Sequence, residues 1–134
     1  MAEKQFKLEI ISPERSFYRG AATMLEYTTT EGEVGVYAGH IPMTQIIAPG
    51  VLTITEAEGT QKKAALLSGF VEILPEKITI LAEAVEWPEE INEERARKAK
   101  ERAEQRLSSK DDPSIDVARA EIALKRALTR LSLK

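Results

Sequence analysis

The 134 residues carry 43% hydrophobic and 31% charged side chains and no cysteine, which excludes a disordered tail, a disulfide framework and a thiolate site. With a single histidine the usual His/Cys ligand set for zinc cannot be assembled, and no metal is expected. The net charge of −3 is unevenly divided: residues 1–92 hold 7 Lys+Arg against 14 Asp+Glu, and residues 93–134 hold 12 against 8. A basic end of this kind attracts nucleic acid, an acidic protein surface or a polyphosphate.

No apolar run approaches the roughly 18 residues of a spanning helix. The opening "MAEKQFKLEI" lacks the apolar core of a signal peptide, and the absence of cysteine suits a reducing compartment. In "FKLEII" the residues Phe6, Leu8 and Ile10 fall on one face, the period of a strand. "MLEYTTT" alternates in the same way. The stretch "EGEVGVYAGHIPM" follows, with Gly32, Gly35 and Gly39 around His40.

The spacing G-x-x-G-x-x-x-G matches neither a dinucleotide fingerprint nor a P-loop, and Glu31 and Glu33 within it would repel phosphate. These glycines read as turn formers between short strands. His40 has no evident nucleophile or orienting carboxylate in "GHIPMTQ", so a loop histidine is expected rather than a general base. From Gly50 onward, "GVLTITEAEGTQKKAALLSGFVEILPEKITILAE" reads as strands broken at "EG", "SG" and "PEK". A helix there would have to tolerate Gly50, Gly59, Gly69 and Pro75. Residues 1–87 are expected to form an antiparallel β-sandwich.

After Pro88 the glycines cease. Residues 91–109 and 115–132 are rich in helix formers, with Asn92 and Asp116 at N-cap positions and "SKDDPS" as the turn between them. The second helix carries an apolar stripe of Val117, Ala120, Leu124, Ala127, Leu128 and Leu131; the first has only Ala96, Ala99, Ala103 and Leu107. So thin a stripe must be covered, and residues 88–134 are expected to form an antiparallel two-helix hairpin. The fold class is thus α+β in two parts. The adjacent pairs Glu89–Glu90 and Asp111–Asp112 fall in expected solvated turns, without apolar surroundings to raise a pKa.

Arg95, Arg102 and Arg106 share one helix face, and Arg119, Arg126 and Arg130 repeat that spacing on the other helix. Two such stripes in a hairpin flank a common groove. A solvated face of i, i+4 pairs is the ordinary fate of such charges, but here arginines outnumber their carboxylate partners. With no aromatic residue between 93 and 134 for base stacking, a nucleoside triphosphate suits the groove better than nucleic acid. Read from the residues alone, a generic protein- or nucleic-acid-binding module with a basic hairpin stays open as the alternative.

"ISPERSFYRG", "TTTEGEVGVYAGHIPMTQIIAPGVLTI", "SGFVEILPEKITILAE" and the arginine–alanine hairpin, in this order from about Leu8 to Leu131, resemble the epsilon subunit family of F-type ATP synthase. The specific element is E-G-E-x-G-x-x-x-G-H-x-P. The resemblance implies a noncatalytic rotor subunit of a proton- or sodium-translocating synthase, peripheral on the cytoplasmic face of a bacterial plasma membrane. It implies that the sandwich contacts the gamma subunit and the c-subunit ring along the edge carrying Glu33 and His40. The hairpin would be regulatory, either folded or extended along gamma into the alpha/beta catalytic ring, where it inhibits ATP hydrolysis; no nucleic acid is expected.

Some bacterial members bind ATP as a regulatory ligand through I-D-x-x-R-A at the first helix and through further arginines. Carried onto this chain, those positions are Ile91, Asn92, Arg95 and Ala96, with Glu86 before them and Arg102, Arg126 and Arg130 after. The resemblance puts the last three near the phosphates and the others at the nucleoside end. Asn92 stands where the motif has Asp. A literal I-D-x-x-R-A at Ile115–Ala120 belongs to the second helix, not to the family's position.

Overall fold

Strand β1 (Phe6–Ile11) is followed by β2 (Ser16–Thr29), β3 (Gly32–Tyr37), β4 (Met43–Ile47), β5 (Gly50–Glu56), β6 (Gln61–Ile73) and β7 (Lys77–Glu86), then a 3₁₀ turn at Pro88–Glu90 and helices α1 (Glu93–Ser108) and α2 (Val117–Ser132). This computed structural model describes residues 4–134; the first three residues of the predicted sandwich lie outside that range. The long strands β2 and β6 exchange partners along their length. β2 pairs β1 through its first half and β3 and β5 through its second, while β6 pairs β5 early and β4 late, with β7 along its other edge. The sheet therefore folds over on itself, and Phe6, Leu8, Ile10, Leu25, Tyr27, Leu52, Ile54, Val71 and Ile80 fill the interior.

The expectation of a wholly antiparallel sandwich needs one correction. β1 runs parallel to β7, with Leu8 opposite Ile78 and Ile10 opposite Ile80. These strands are joined through all the intervening ones, not by a hairpin, and only a tight hairpin forces antiparallel pairing.

A second correction concerns "SG", expected as a strand break. β6 runs through Ser68 and Gly69, and the register against β7 shifts on either side of Ser68. These bulges reverse the alternation. Before them Ala64 and Leu66 face the core and Ala65 and Leu67 the outside; after them Val71 faces the core and Phe70 is exposed. Gly69 has φ +135°, and a Cβ there would meet the Leu81 carbonyl oxygen at 2.2 Å, so only glycine fits.

The helices begin where their caps predict. The Asn92 side chain accepts the Arg95 N–H at 3.0 Å and the Asp116 side chain accepts the Arg119 N–H at 3.1 Å. Asp112 accepts the Ser114 N–H in the turn between them, an Asx turn that reverses the chain. Ala96 and Ala103 of α1 and Ala120 and Ala127 of α2 are buried, so the helices pack on their alanine faces. Leu128, expected in the apolar stripe, is 45% exposed, because the face of α2 that packs is centred on Ala120 and Ala127. The hairpin meets the sheet chiefly through α2 over β5 and β6.

Gly69→Ala should lower the unfolding free energy by about 3 kcal/mol or more, from strained backbone plus steric overlap. Gly59→Ala, at φ +97° but facing open space, should lose only about 1 kcal/mol. Urea denaturation of both variants checks the difference.

Candidate functional site

Ile91 is extended and buried, packed with Ala65, Leu67, Ala84 and Leu133 on the outer surface of the sheet. This contact sets where α1 starts. Asn92, Arg95, Ala96, Ala99 and Arg102 then share one face of α1 at three- to four-residue spacings. The antiparallel return of α2 brings Arg130, in its last turn, beside the first turns of α1, and Glu86 sits at the end of β7 below them. Together Glu86, Asn92, Arg95, Ala96 and Arg102 with Arg130 line a 370 Å³ cavity, to which Glu90 and Ala99 also contribute.

Of the residues predicted for the site, Ile91 lies beneath the cavity as a packing residue, and Arg126 lies outside it. Arg126 lines a neighbouring 590 Å³ cavity between α2 and the sheet with Thr28, Pro49 and Ser68. Its Nε is buried without a hydrogen-bond partner, an unsatisfied donor that favours any acceptor able to reach it. Arg106 and Arg119, expected to extend the groove, line neither cavity.

The cavity's carboxylates are already engaged. Arg130 Nε donates to Glu86 at 2.6 Å. Glu90 is held by Arg15, whose Nη2 reaches both carboxylate oxygens at 2.7 Å, and it also accepts the Trp87 N–H at 2.9 Å. The Arg15 hydrogen bond, then that from Trp87, holds the Glu90 carboxyl below its ordinary value. Glu90 is thus exposed, as expected of this turn, and tethered within it by these bonds. Among the described residues Arg95 and Arg102 have no carboxylate within ion-pair distance. The cavity therefore presents two uncompensated guanidinium groups beside a helix N-terminus, a setting that attracts an anion.

Glu33 lies not in a loop but in β3, opposite Thr28 of β2. His40 follows in the turn after β3, its Nδ1–H donating to the Ile41 carbonyl at 2.8 Å. The Gly39 N–H donates to the Pro75 carbonyl at 2.8 Å, tying this turn to the one between β6 and β7. Tyr37, Ile41, Met43 and Leu74 form an exposed apolar tip around His40, with Ile41 at 73% exposure. On the outer face of the sheet, Ile11, Leu81, Phe70 and Ile46 are directly opposite one another across β1, β7, β6 and β4. Ile46, Phe70 and Leu81 in that row are exposed. Sequence reading missed the tip and the row, since strand alternation separates two faces without telling which is left uncovered.

Among the described residues no group of three or more His, Cys, Asp or Glu is arranged to hold a metal, and no helix is long and apolar enough to cross a membrane.

A sandwich joined to a basic helical pair around an anion-attracting cavity, with exposed apolar surfaces, defines a two-part assembly subunit. Family models described as the beta-sandwich domain and the long alpha-helix domain of the ATP synthase delta/epsilon chain match residues 5–88 and 89–134. The chain belongs to this family, as an epsilon subunit of F-type ATP synthase, and is noncatalytic. It is 46% identical to the ATP synthase epsilon chain of Shouchella clausii, covering 95% of this chain and 92% of that one. It is 42% identical to that of Clostridium novyi over 97% and 98% of the two chains. A chain of the Euglena gracilis mitochondrial ATP synthase, in a structure of OSCP, F1 and the c-ring, superposes with TM-score 0.81 at 27% identity, covering 96% of this chain and 79% of that chain.

Because the folded state depresses the Glu90 pKa, its contribution is fully present above the ordinary value of 4.5 and is lost as pH falls below it, through the depressed value. The turn at residues 87–90 should loosen below about pH 4.5, and Glu90→Gln should flatten that response. Amide exchange of this segment against that of β4 and β5 as a function of pH reads the effect.

Proposed function

We propose that this chain is a central-stalk subunit of a bacterial F-type ATP synthase, coupling the catalytic part to the c ring, and that its C-terminal hairpin regulates ATP hydrolysis. The complex translocates protons or sodium ions, and the chain lies at the cytoplasmic face of the plasma membrane as a peripheral component. Solved structures of the fold within F1/c-ring assemblies support the stalk location. The exposed row of Ile46, Phe70 and Leu81 provides an apolar surface for gamma. The tip around His40 and Ile41 suits the c ring, with Glu33 at the opposite end of β3. The folded hairpin is the resting form, and its extension along gamma toward the alpha/beta subunits is the inhibitory one.

The observation that carries the regulatory reading is the convergence of Glu86, Asn92, Arg95, Ala96, Arg102 and Arg130 on one cavity. In this reading ATP binds there, its phosphates against Arg102 and Arg130 and its nucleoside toward Glu86 and the Ile91–Ala96 turn. Arg130 keeps its Nη groups for phosphate while Nε remains on Glu86. Arg126, with its unpartnered Nε, turns from the neighbouring cavity to add a third guanidinium. ATP stabilises the folded hairpin only to the extent that it binds that form better than the extended one.

Arginine–phosphate bonds are charge-assisted, and losing one costs about 1.5–3 kcal/mol. Arg102→Ala should therefore weaken ATP binding by roughly tenfold or more, measured by calorimetry on the isolated chain. Asn92→Asp, which restores the motif's carboxylate, should tighten binding. Absence of binding heat and of thermal stabilisation at millimolar ATP would overturn the nucleotide reading.

Phe70→Glu should weaken capture of gamma without lowering the melting temperature, since Phe70 is exposed. Pull-down with gamma alongside a thermal melt checks it, and undiminished capture removes the row from the interface.

A further inference from the structure

The turn Ser12–Arg15 is closed on itself. The Ser12 N–H donates to the Arg15 carbonyl at 2.9 Å, and the Ser12 hydroxyl both donates to that carbonyl at 3.1 Å and accepts the Arg15 N–H at 3.3 Å. It therefore holds the base of the Arg15 side chain in one place on the sandwich. From there the guanidinium passes over the Phe17 ring, 5.1 Å from its centroid, and reaches both oxygens of Glu90. Trp87 stacks on the same Phe17 at 4.2 Å and 17°, with Tyr18 edge-on at 6.3 Å. Within the turn, the Glu90 N–H donates to the Trp87 carbonyl, and the Glu90 carboxylate accepts the Trp87 N–H. Two sandwich side chains, Arg15 and Phe17, thus grip the two ends of the segment that leads into α1.

We propose that Arg15 is a positioning residue for the hairpin: through Glu90 it pins the turn 87–90 to the sandwich, acting with the Ile91 contact to fix the point from which α1 starts, and it compensates the Glu90 charge at the wall of the candidate nucleotide cavity.

Two physical consequences follow from the geometry. Exposed ion pairs usually contribute little, because each side chain gives up rotamer freedom and solvent screens the charges. Here the arginine is anchored at its base and lies along an aromatic ring, so much of that cost is met before the pair forms. Glu90 also lines the cavity with Arg95 and Arg102. Without Arg15 its carboxylate would be an uncompensated negative charge facing the place where an anion is held. Arg15 lies outside that cavity, so any effect it has on ligand affinity is exerted through Glu90. The second consequence rests on the nucleotide reading above; the first does not.

The test uses the full chain as wild type, Arg15→Gln, Glu90→Gln and the double variant. Amide exchange over residues 87–96 is measured without nucleotide, alongside acrylamide quenching of the single tryptophan, and ATP titration follows. Each single variant should raise exchange and quenching in this segment severalfold, and the double should go no further, while β4 and β5 are unaffected. Unchanged exchange in Arg15→Gln, or full additivity in the double, would overturn the proposal. Arg15→Gln should also weaken ATP binding, and adding Glu90→Gln should recover part of the loss by removing the stranded charge; no recovery would refute the electrostatic part. A wild type that binds no ATP ends the nucleotide reading alone, and the exchange data still judge the pin. Should Arg15→Gln fail to fold, Arg15→Lys, which keeps the charge but loses the planar group that lies over Phe17, carries the same comparison.

Discussion

The packing of Ile91 and Leu133 on Ala65 and Leu67 is the contact on which the arrangement of the two parts depends. The alanine faces of α1 and α2 bury against each other and leave little apolar surface for the sheet. Beside the contacts of α2 over β5 and β6, Ile91 is buried at the hairpin's entrance and Leu133 is partly buried at its end. Burial of an isoleucine contributes about 1.5–3 kcal/mol, comparable to the small free energies by which conformational equilibria are shifted. The sandwich, by contrast, has a continuous core that no such contact could disturb. The large buried side chains thus fall mostly in the sandwich, and the buried residues of the two helices are mostly alanines.

The bulges of β6 make that contact possible. By reversing the strand's alternation at Ser68–Gly69, they let one strand present Ala65 and Leu67 to the hairpin and then Phe70 to the outside. The outer face of the sheet is thereby divided between a covered region and an exposed apolar row. A strand of unbroken alternation through this point would have turned one of the two regions into the core.

Charge is distributed on the same plan. The acidic residues at the junction, Glu86 and Glu90, are each matched to an arginine from elsewhere in the fold, Arg130 from α2 and Arg15 from the first turn of the sandwich. Their neutralisation leaves Arg95 and Arg102 to set the sign of the cavity. The excess of basic residues in 93–134 becomes a directed feature only because of these two long-range pairs.

Much of this was legible in the chain. The strand and helix periods, the caps at Asn92 and Asp116, the boundary near Pro88 and the arginine register are local properties, governed by backbone preference and by spacing along a single element. Even the convergence of Arg95 and Arg102 is a property of one helix face. The parallel pairing of β1 with β7, the bulges, the removal of Arg126 to a neighbouring cavity and the capture of Glu90 by Arg15 join residues far apart in sequence. No local spacing encodes them, because each is decided by how the elements pack. The sequence by itself determined which elements form and which faces they could bury; only the tertiary structure decided which of those faces are covered and which charges are paired, since both depend on neighbours supplied by other parts of the chain.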